Sequence, residues 1–541
     1  MPVTPTYPGV YVEEIPSGVR TISGVATSIT AFIGRAFKGK LDEPIRIQNF
    51  GDFVRQFGGL WNQSTMSYAV QQYFLNGGQD AIIIRVYKDT PPATPPTDAP
   101  HATLSLPSGT ESLKLEAASQ GSWGKALRAV VDHNTRTSGN QEEDAKLFNL
   151  TVQELEAPGS KKVAATETLR NLSIDPDSAR FYKKVIEQES TLVNVPESDQ
   201  SIIKARPDAT EIDASTKELK YVTATGGSDG EDITDTEISA DALKADRKGL
   251  YALDKADLFN LLCIPPLTRK QDDKADVTND MWTNAAKYCK DKRAFLIVDP
   301  PSVWKKISDA VSGVDTLRGT IGADLATNAA IYFPRLKMAD PLKENRTEEF
   351  AACGAIAGIF ARTDSQRGIW KAPAGIEASV VGVRELSYKM NDGENGQLNP
   401  LGVNCVRNFP VYGNVLWGAR TLAGADQLAS EWKYVPVRRL ALYLEESLYR
   451  GTQWVVFEPN DEPLWSQIRL NIGSFMNNLF KQGAFQGKTP KEAYFVKCDS
   501  ETTTQYDIDR GIVNIVIGFA PLKPAEFVIL KFQQIANESA A

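Results

Sequence analysis

Hydrophobic positions along this chain recur with different periods, and the changes of period divide it into segments. Residues 1–25 are rich in Pro, Gly and Thr around one short alternating stretch, Val10, Tyr11, Val12, Glu13, Glu14 and Ile15. A strand so isolated cannot make a sheet of its own, and it reads as an arm. From Ser28 the pattern becomes α/β: the run ITAFIG, a helical stretch containing Met66–Leu75, then AIIIRVY at 81–87, apolar enough for a strand buried on both faces. The segment PPATPPTDAP at 91–100 is a stiff, extended linker and opens an insertion. The insertion holds short strands (113–117, 148–153), loops and a helix over 179–189, and closes at the glycine-rich 226–230. Beyond it the runs LFNLLCIPP, RAFLIVDPP and NAAIYFPRL end in proline or just past it, where strands leave a sheet, and they are expected to rejoin the domain begun before residue 90.

The last third, from about Glu349, reads as another α/β unit with two amphipathic helices. Pro436 opens the first, Val437, Leu440, Ala441, Leu444 and Leu448 share one stripe, and Gly451 closes it. Asn460 and Asp461 can cap the second, which buries Trp465, Ile468, Ile472, Phe475, Met476 and Leu479 and ends at Gly483. Gln467, Asn471, Ser474, Asn478 and Lys481 line its opposite face, and Leu470 falls outside the buried stripe, either as a second surface or as an ordinary exposed leucine. At the C-terminus two strongly apolar runs, GIVNIVIGF at 511–519 and FVILKFQQI at 527–535, flank the proline-rich APLKPA. Two pairings are open to the final strand: within its own sheet, or donated to a neighbour's open edge.

At 541 residues, 42% apolar and 24% charged, the composition is that of a multidomain globular chain without a window of about 20 apolar residues for a membrane span. The opening MPVTPTYPGVYVEE lacks a basic region followed by an apolar stretch, which leads to an expectation of synthesis and residence in the cytoplasm. Cys263, Cys289, Cys353, Cys405 and Cys498 are scattered and odd in number, as reduced core residues would be. Residues 91–239 carry 25 Asp and Glu against 15 Lys and Arg, so this segment holds the entire acidic excess of a chain whose net charge is −8. An acidic face repels nucleic acid and copies of itself, which suits a solvent-facing domain; an ordinary solvated insertion gives the same charge.

Candidate chemistry fails on partners. Gly226-Gly227-Ser228-Asp229-Gly230 fits the pattern of a hydrolase nucleophile turn, but both histidines, His101 and His133, precede Ser228, and such triads place the histidine after it. No phosphate-binding loop follows those glycines, Glu231 and Asp232 would repel a phosphate, and the acidic run lacks the ligand spacing of a calcium loop. No catalytic residue, cofactor site or metal site is therefore assigned, and a carboxylate-dependent hydrolase stands as the enzymatic alternative.

Several blocks, in order, resemble the contractile tail sheath family of phages and related injection systems: PGVYVEEI at 8–15, GGSDG at 226–230, AAIYFPRLKMADP at 329–341, AGIFARTDSQRGIWKAPAG at 357–375, NVLWGARTL at 414–422, FEPNDEPLW at 457–465 and DIDRGIVNIVIGFAPLKPAEFV at 507–528. The resemblance implies a multidomain α+β fold with an inner α/β domain built from both chain termini, a middle α/β domain, and an inserted β-rich outer domain. In residues this reads as an N-terminal arm over 1–25, a middle domain over 26–90 and 240–345, the insertion over 91–239, an inner domain over 346–520 and a linking arm over 521–541. It implies a structural, non-enzymatic subunit without cofactors, assembled in the bacterial cytoplasm into hexameric rings stacked as a helical sheath, and part of a virion tail or injection particle. The implied partners are further copies, an inner tube protein, and baseplate and tail terminator proteins, with no nucleic acid and no membrane insertion. The linking strands would be Val10–Ile15 together with Phe527, Val528, Ile529, Leu530, Lys531 and Phe532, and the tube-facing helix would present Asn471, Asn478 and Lys481. A non-contractile shell or surface-layer protein is the alternative that shares the strand exchange.

Overall fold

The computed structural model describes residues 20–89, 99–137, 139–199, 201–269 and 276–532. At its centre lies an eight-stranded sheet in the order Gly413–Leu416, Val403–Phe409, Ala329–Phe333, Phe295–Val298, Leu261–Cys263, Thr30–Gly34, Ala81–Arg85, Ile45–Ile47. The six inner strands run parallel and the two edge strands pair antiparallel. Side chains that alternate along a strand feed two separate cores. Ala31, Ile33, Leu262, Leu296 and Ile331 pack against the helices Asn279–Asp291 and Ile307–Ile321. Phe32, Cys263, Phe295, Ile297 and Tyr332 pack on the other face, against Thr65–Leu75 and Cys353–Arg367. Those last two helices cross closely because glycine lets their backbones meet: a Cβ on Gly354 would sit 2.0 Å from the Ala69 carbonyl oxygen.

The insertion forms two four-stranded antiparallel sheets over a shared core that includes Leu104, Leu115, Leu150 and Val152, with the helix Tyr182–Glu189 beside them. Strand Ala102–Ser108 alternates strictly between buried and exposed positions, as a sheet with one wet face requires. Polar contacts fasten this unit to the sheet below it. Lys38 Nζ meets the Glu154 carboxylate at 2.8 Å, and the buried Arg85 guanidinium donates to the carbonyls of Ala36, Gly39 and Gln120.

One expected boundary moves. The middle α/β unit was expected to end at residue 345, yet strands Val403–Phe409 and Gly413–Leu416 belong to its sheet and helix Cys353–Arg367 covers one face of it. Consecutive α/β stretches have the same periodicity whether they extend one sheet or begin another, and the return of strand 403–409 to pair with 329–333 is a long-range event. The C-terminal unit instead gathers around helices Val435–Gly451 and Glu462–Lys481 and the two-stranded sheet of Tyr494–Lys497 with Val516–Phe519. The other end of the chain reaches it too. Ile22 joins this core, and the Val25 amide donates to Ser447 Oγ at 3.2 Å.

Candidate inter-subunit site

The C-terminal unit holds the features that the sequence marked for contacts with other chains. Helix Val435–Gly451 begins with proline in its first turn, where the missing N–H costs no hydrogen bond. Its apolar stripe is buried as expected, but so is much of the opposite side. Leu440, Leu444 and Leu448 face the C-terminal core, whereas Val435 and Leu442 pack into the core under the central sheet. The polar positions between them are buried in pairs. Arg439 and Asp364 are both 3% exposed and meet through two hydrogen bonds of 2.9 and 2.6 Å, while Arg439 also donates to the Thr27 carbonyl. Burial pushes the Asp364 carboxyl upward against the pull of that guanidinium. This helix thereby ties the C-terminal unit to the sheet.

Helix Glu462–Lys481 is capped by the Asp461 carboxylate, which accepts the Glu462 amide. Leu464, Trp465, Ile468, Ile472, Phe475, Met476 and Leu479 form its buried stripe. Leu470 is exposed, and so are Asn478 and Lys481. Asn471 departs from expectation: it is 2% exposed, and its Oδ1 accepts the backbone N–H of Arg20 at 3.1 Å. The N-terminal segment covers it, with the Arg20 guanidinium 4.5 Å from the Trp454 ring centroid and 3.9 Å from the Glu458 carboxylate. Helical periodicity alone had placed Asn471 on an open face, because a covering segment 451 residues earlier in the chain leaves no trace in the local pattern.

The two-stranded sheet is half-exposed along both strands, and among the described residues each strand has a single partner. The chain leaves it through Pro521, which bridges Phe485, and continues outside any helix or strand. Phe527, Val528, Ile529, Leu530 and Phe532 are 73–93% exposed, Lys531 is exposed with them, and none of them pairs in a strand with another described residue. The other expected linking strand, Val10–Ile15, lies outside the described residues.

One arrangement here was not foreseen. Glu526, at the root of the exposed segment, is gripped by Arg420, whose side chain is 1% exposed: Nε to Oε1 at 2.7 Å and a terminal nitrogen to Oε2 at 2.5 Å. The other terminal nitrogen of Arg420 reaches the Asn399 carbonyl and the Asp426 carboxylate, both at 2.9 Å. Asn404, on the central sheet, brackets the Arg420 backbone by accepting its N–H and donating to its carbonyl, each at 2.7 Å. Arg420 and Glu526 each lie in a block that resembles the sheath family, but nothing in one sequence couples residues 106 apart.

The nucleophile-like turn takes a structural part. Ser228 Oγ accepts the Gly230 amide, and the Asp229 carboxylate takes both the N–H and the hydroxyl of Ser122. His101 and His133 hydrogen-bond to the carbonyls of Ala117 and Pro207, within the insertion. Among the described residues no three His, Cys, Asp or Glu side chains are grouped to hold a metal ion, and no helix is long and apolar enough to cross a membrane.

Comparison with known proteins agrees with this geometry. Residues 226–422 match the model of the phage tail sheath protein central domain, and residues 428–535 match that of the phage tail sheath C-terminal domain. The division between the two falls next to the structural boundary described above. The tail sheath protein of Vibrio phage KVP40 is 28% identical over 258 residues, 45% of this chain and 37% of that protein. The tail sheath protein of Enterobacteria phage T4 is 26% identical over 184 residues, 34% of this chain and 26% of that protein. The alignments thus span well under half the length of either relative. Among solved structures, the contracted sheath complex of the extracellular contractile injection system PVC superposes with a TM-score of 0.55 at 22% identity, covering 98% of both chains. The sheath tail protein of Desulfitobacterium hafniense gives a TM-score of 0.55 at 12% identity, covering 95% of this chain and all of that one, so the fold is shared throughout. The two matched domains together take in more than half of the sequence, in family order and on the family's fold, and the chain belongs to the phage tail sheath family.

Proposed function

We propose that this chain polymerises as stacked hexameric rings around an inner tube and contracts to drive that tube through a target envelope, acting as a mechanical subunit without catalysis or cofactor. The observation that carries the reading is the apolar segment Phe527–Phe532, exposed and outside any strand, on the same unit as a two-stranded sheet whose edges are open among the described residues. Leaving such a segment in water is costly, at roughly 25 cal/mol per Å² of apolar surface, so it supports an occupant that only another protomer supplies. A strand added to a sheet edge gains backbone hydrogen bonds for affinity and alternate side chains for register. In this reading Phe527–Phe532 of one copy and Val10–Ile15 of another extend the sheet of a third, and the rings stay joined while protomers slide and rotate.

Asn478 and Lys481, on the exposed face of helix Glu462–Lys481, face the inner tube. Asn471 supports that helix from within and makes no tube contact. The acidic insertion faces outward, where it keeps neighbouring particles and nucleic acid at a distance. Baseplate and terminator proteins hold the two ends of the sheath. The particle is assembled in the bacterial cytoplasm and enters no membrane itself. Folding and polymerisation store the free energy that contraction releases, so no nucleotide is consumed.

The test is co-expression with a tube subunit from the same genome, followed by electron microscopy. Hollow striated cylinders around a tube are expected. Sheets or closed shells that ignore the tube would point to a surface-layer or shell protein, and a chain that stays monomeric at all concentrations would overturn the assembly itself.

A further inference from the structure

Resting on the reading of Phe527–Phe532 as a donated strand, we infer that the Arg420–Glu526 pair is a latch that fixes where the linking arm begins and in which direction it leaves. The arm has two attachment points on its own protomer. At the first, Ala520 is held by hydrogen bonds to Ala493 and Gln486, and Pro521 bridges Phe485, all within the C-terminal unit. At the second, Glu526 docks on Arg420, which stands on the central sheet through Asn404. Between them Leu522–Ala525 form one wall of an open cleft of roughly 900 Å³, whose other walls include Trp370, Trp417 and Tyr434. The arm therefore spans from the C-terminal unit to the middle unit before it becomes free.

Two observations mark the pair as built for holding. Arg420 is almost wholly buried although its ligand comes from the root of an exposed segment, and its guanidinium meets the carboxylate side-on with two nitrogens, the geometry that fixes direction as well as distance. Its remaining bonds, to Asn399, Gly424 and Asp426, hold the guanidinium in this orientation, and the Tyr434 hydroxyl lies 3.3 Å from Glu526. Arg420 is thus preset and Glu526 plugs into it.

The consequence is one of tether length. Without the latch the arm pivots at Pro521, and the segment free to move, counted to Phe532, grows from residues 527–532 to residues 522–532. The effective concentration of a tethered strand falls as about the −3/2 power of tether length, so nearly doubling the tether lowers it by about 2.5-fold. The latch also joins the arm to the middle unit, so that a pull on the donated strand reaches the central sheet directly.

The threshold concentration for cylinder formation on purified tubes, read by pelleting and electron microscopy, tests the latch in wild type, Glu526→Gln, Glu526→Asp and a chain ending at Glu526. Lys531→Cys carrying a fluorophore reports arm mobility by anisotropy in the unassembled protomer. Glu526→Gln is expected to keep the wild-type near-UV circular dichroism, lower the anisotropy and raise the threshold by about 2.5-fold. Glu526→Asp, which keeps the charge but falls short of Arg420, should shift both readouts in the same direction and guards against a folding defect in the first variant. The truncated chain should form no cylinders. A wild-type threshold for both Glu526 variants overturns the latch alone, and cylinders from the truncated chain overturn the linking strand together with the latch.

Discussion

The eight-stranded sheet and the two-stranded sheet of the C-terminal unit differ in how far one protomer satisfies them. Strands Phe295–Val298 and Ala329–Phe333 are fully buried, paired on both sides and covered by helices on both faces. Among the described residues, strands Tyr494–Lys497 and Val516–Phe519 are half-exposed, paired on one side each, and followed by an apolar segment with no strand partner. A sheet closed in this way makes a rigid body that needs nothing from outside. An open edge beside an unpaired apolar strand, by contrast, is an aggregation hazard in a monomer and a connector in a lattice. Phe527–Phe532 contributes to neither core of the central sheet, which leads to the expectation that the segment can be deleted without disturbing the body.

That separation yields the largest expected effect. Deleting Phe527–Ala541 should abolish cylinder formation on tubes while leaving the thermal midpoint and circular dichroism of the protomer at wild-type values; a large loss of protomer stability would mean that the two regions are not independent. A change in the closed region should act the other way. Asp364→Ala strands the buried Arg439 charge and should cost about 3–5 kcal/mol in urea unfolding of the protomer, with assembly lost only in proportion to unfolding.

The buried Asp299 offers a smaller effect with a defined sign. Its carboxylate accepts the amides of Ala352 and Cys353 at the start of helix Cys353–Arg367, each at 2.9 Å. Burial raises its pKa all the same, against the opposing influence of the Cys353 thiol, Arg335 and those two amides. An acid whose folded-state pKa lies above its unfolded value binds protons more readily when folded, so its contribution to stability is fully present at low pH and is lost as pH rises from the usual carboxylate range through the raised value. Asp299→Asn keeps an acceptor for both amides and should flatten that decline in a series of unfolding curves from pH 3 to 7, whereas an unchanged slope would assign it to other groups. The smallest effect belongs to the exposed helix face. Lys481→Glu should change protomer stability by less than about 0.5 kcal/mol and weaken sheathing of the tube more than self-association, because the lattice repeats a weak contact at every subunit. Equal loss of both would place Lys481 elsewhere.

What the sequence disclosed follows the range of the interactions. Five strands of the central sheet, Thr30–Gly34, Ala81–Arg85, Leu261–Cys263, Phe295–Val298 and Ala329–Phe333, and the helix over 462–481 with its Asp461 cap were legible because each is written in a local pattern. The middle-domain boundary was not, since strand 403–409 rejoins a sheet begun at residue 30 and nothing in its own pattern says so. Asn471 was misplaced for a related reason: its cover comes from Arg20. Helix Val435–Gly451 looked amphipathic because Arg438, Arg439 and Glu446 read as polar, and pairing with Asn328, Asp364 and Arg293 is what allows them inside. The Arg420–Glu526 contact stayed hidden in the same way, as a buried charge whose partner comes from the far end of the chain.

The central claim, that Phe527–Phe532 leaves its own protomer, is tested most directly by site-specific cross-linking in assembled cylinders. All five native cysteines are buried and give a low background. Phe495→Cys, on the open edge of the two-stranded sheet, would be combined in turn with Val528→Cys, Ile529→Cys and Leu530→Cys to scan the register, then oxidised before and after assembly. The account predicts covalent ladders of linked chains that appear with assembly and peak at one register. Cross-linked monomers alone, formed equally before assembly, would show that the strand pairs within its own chain and would contradict it.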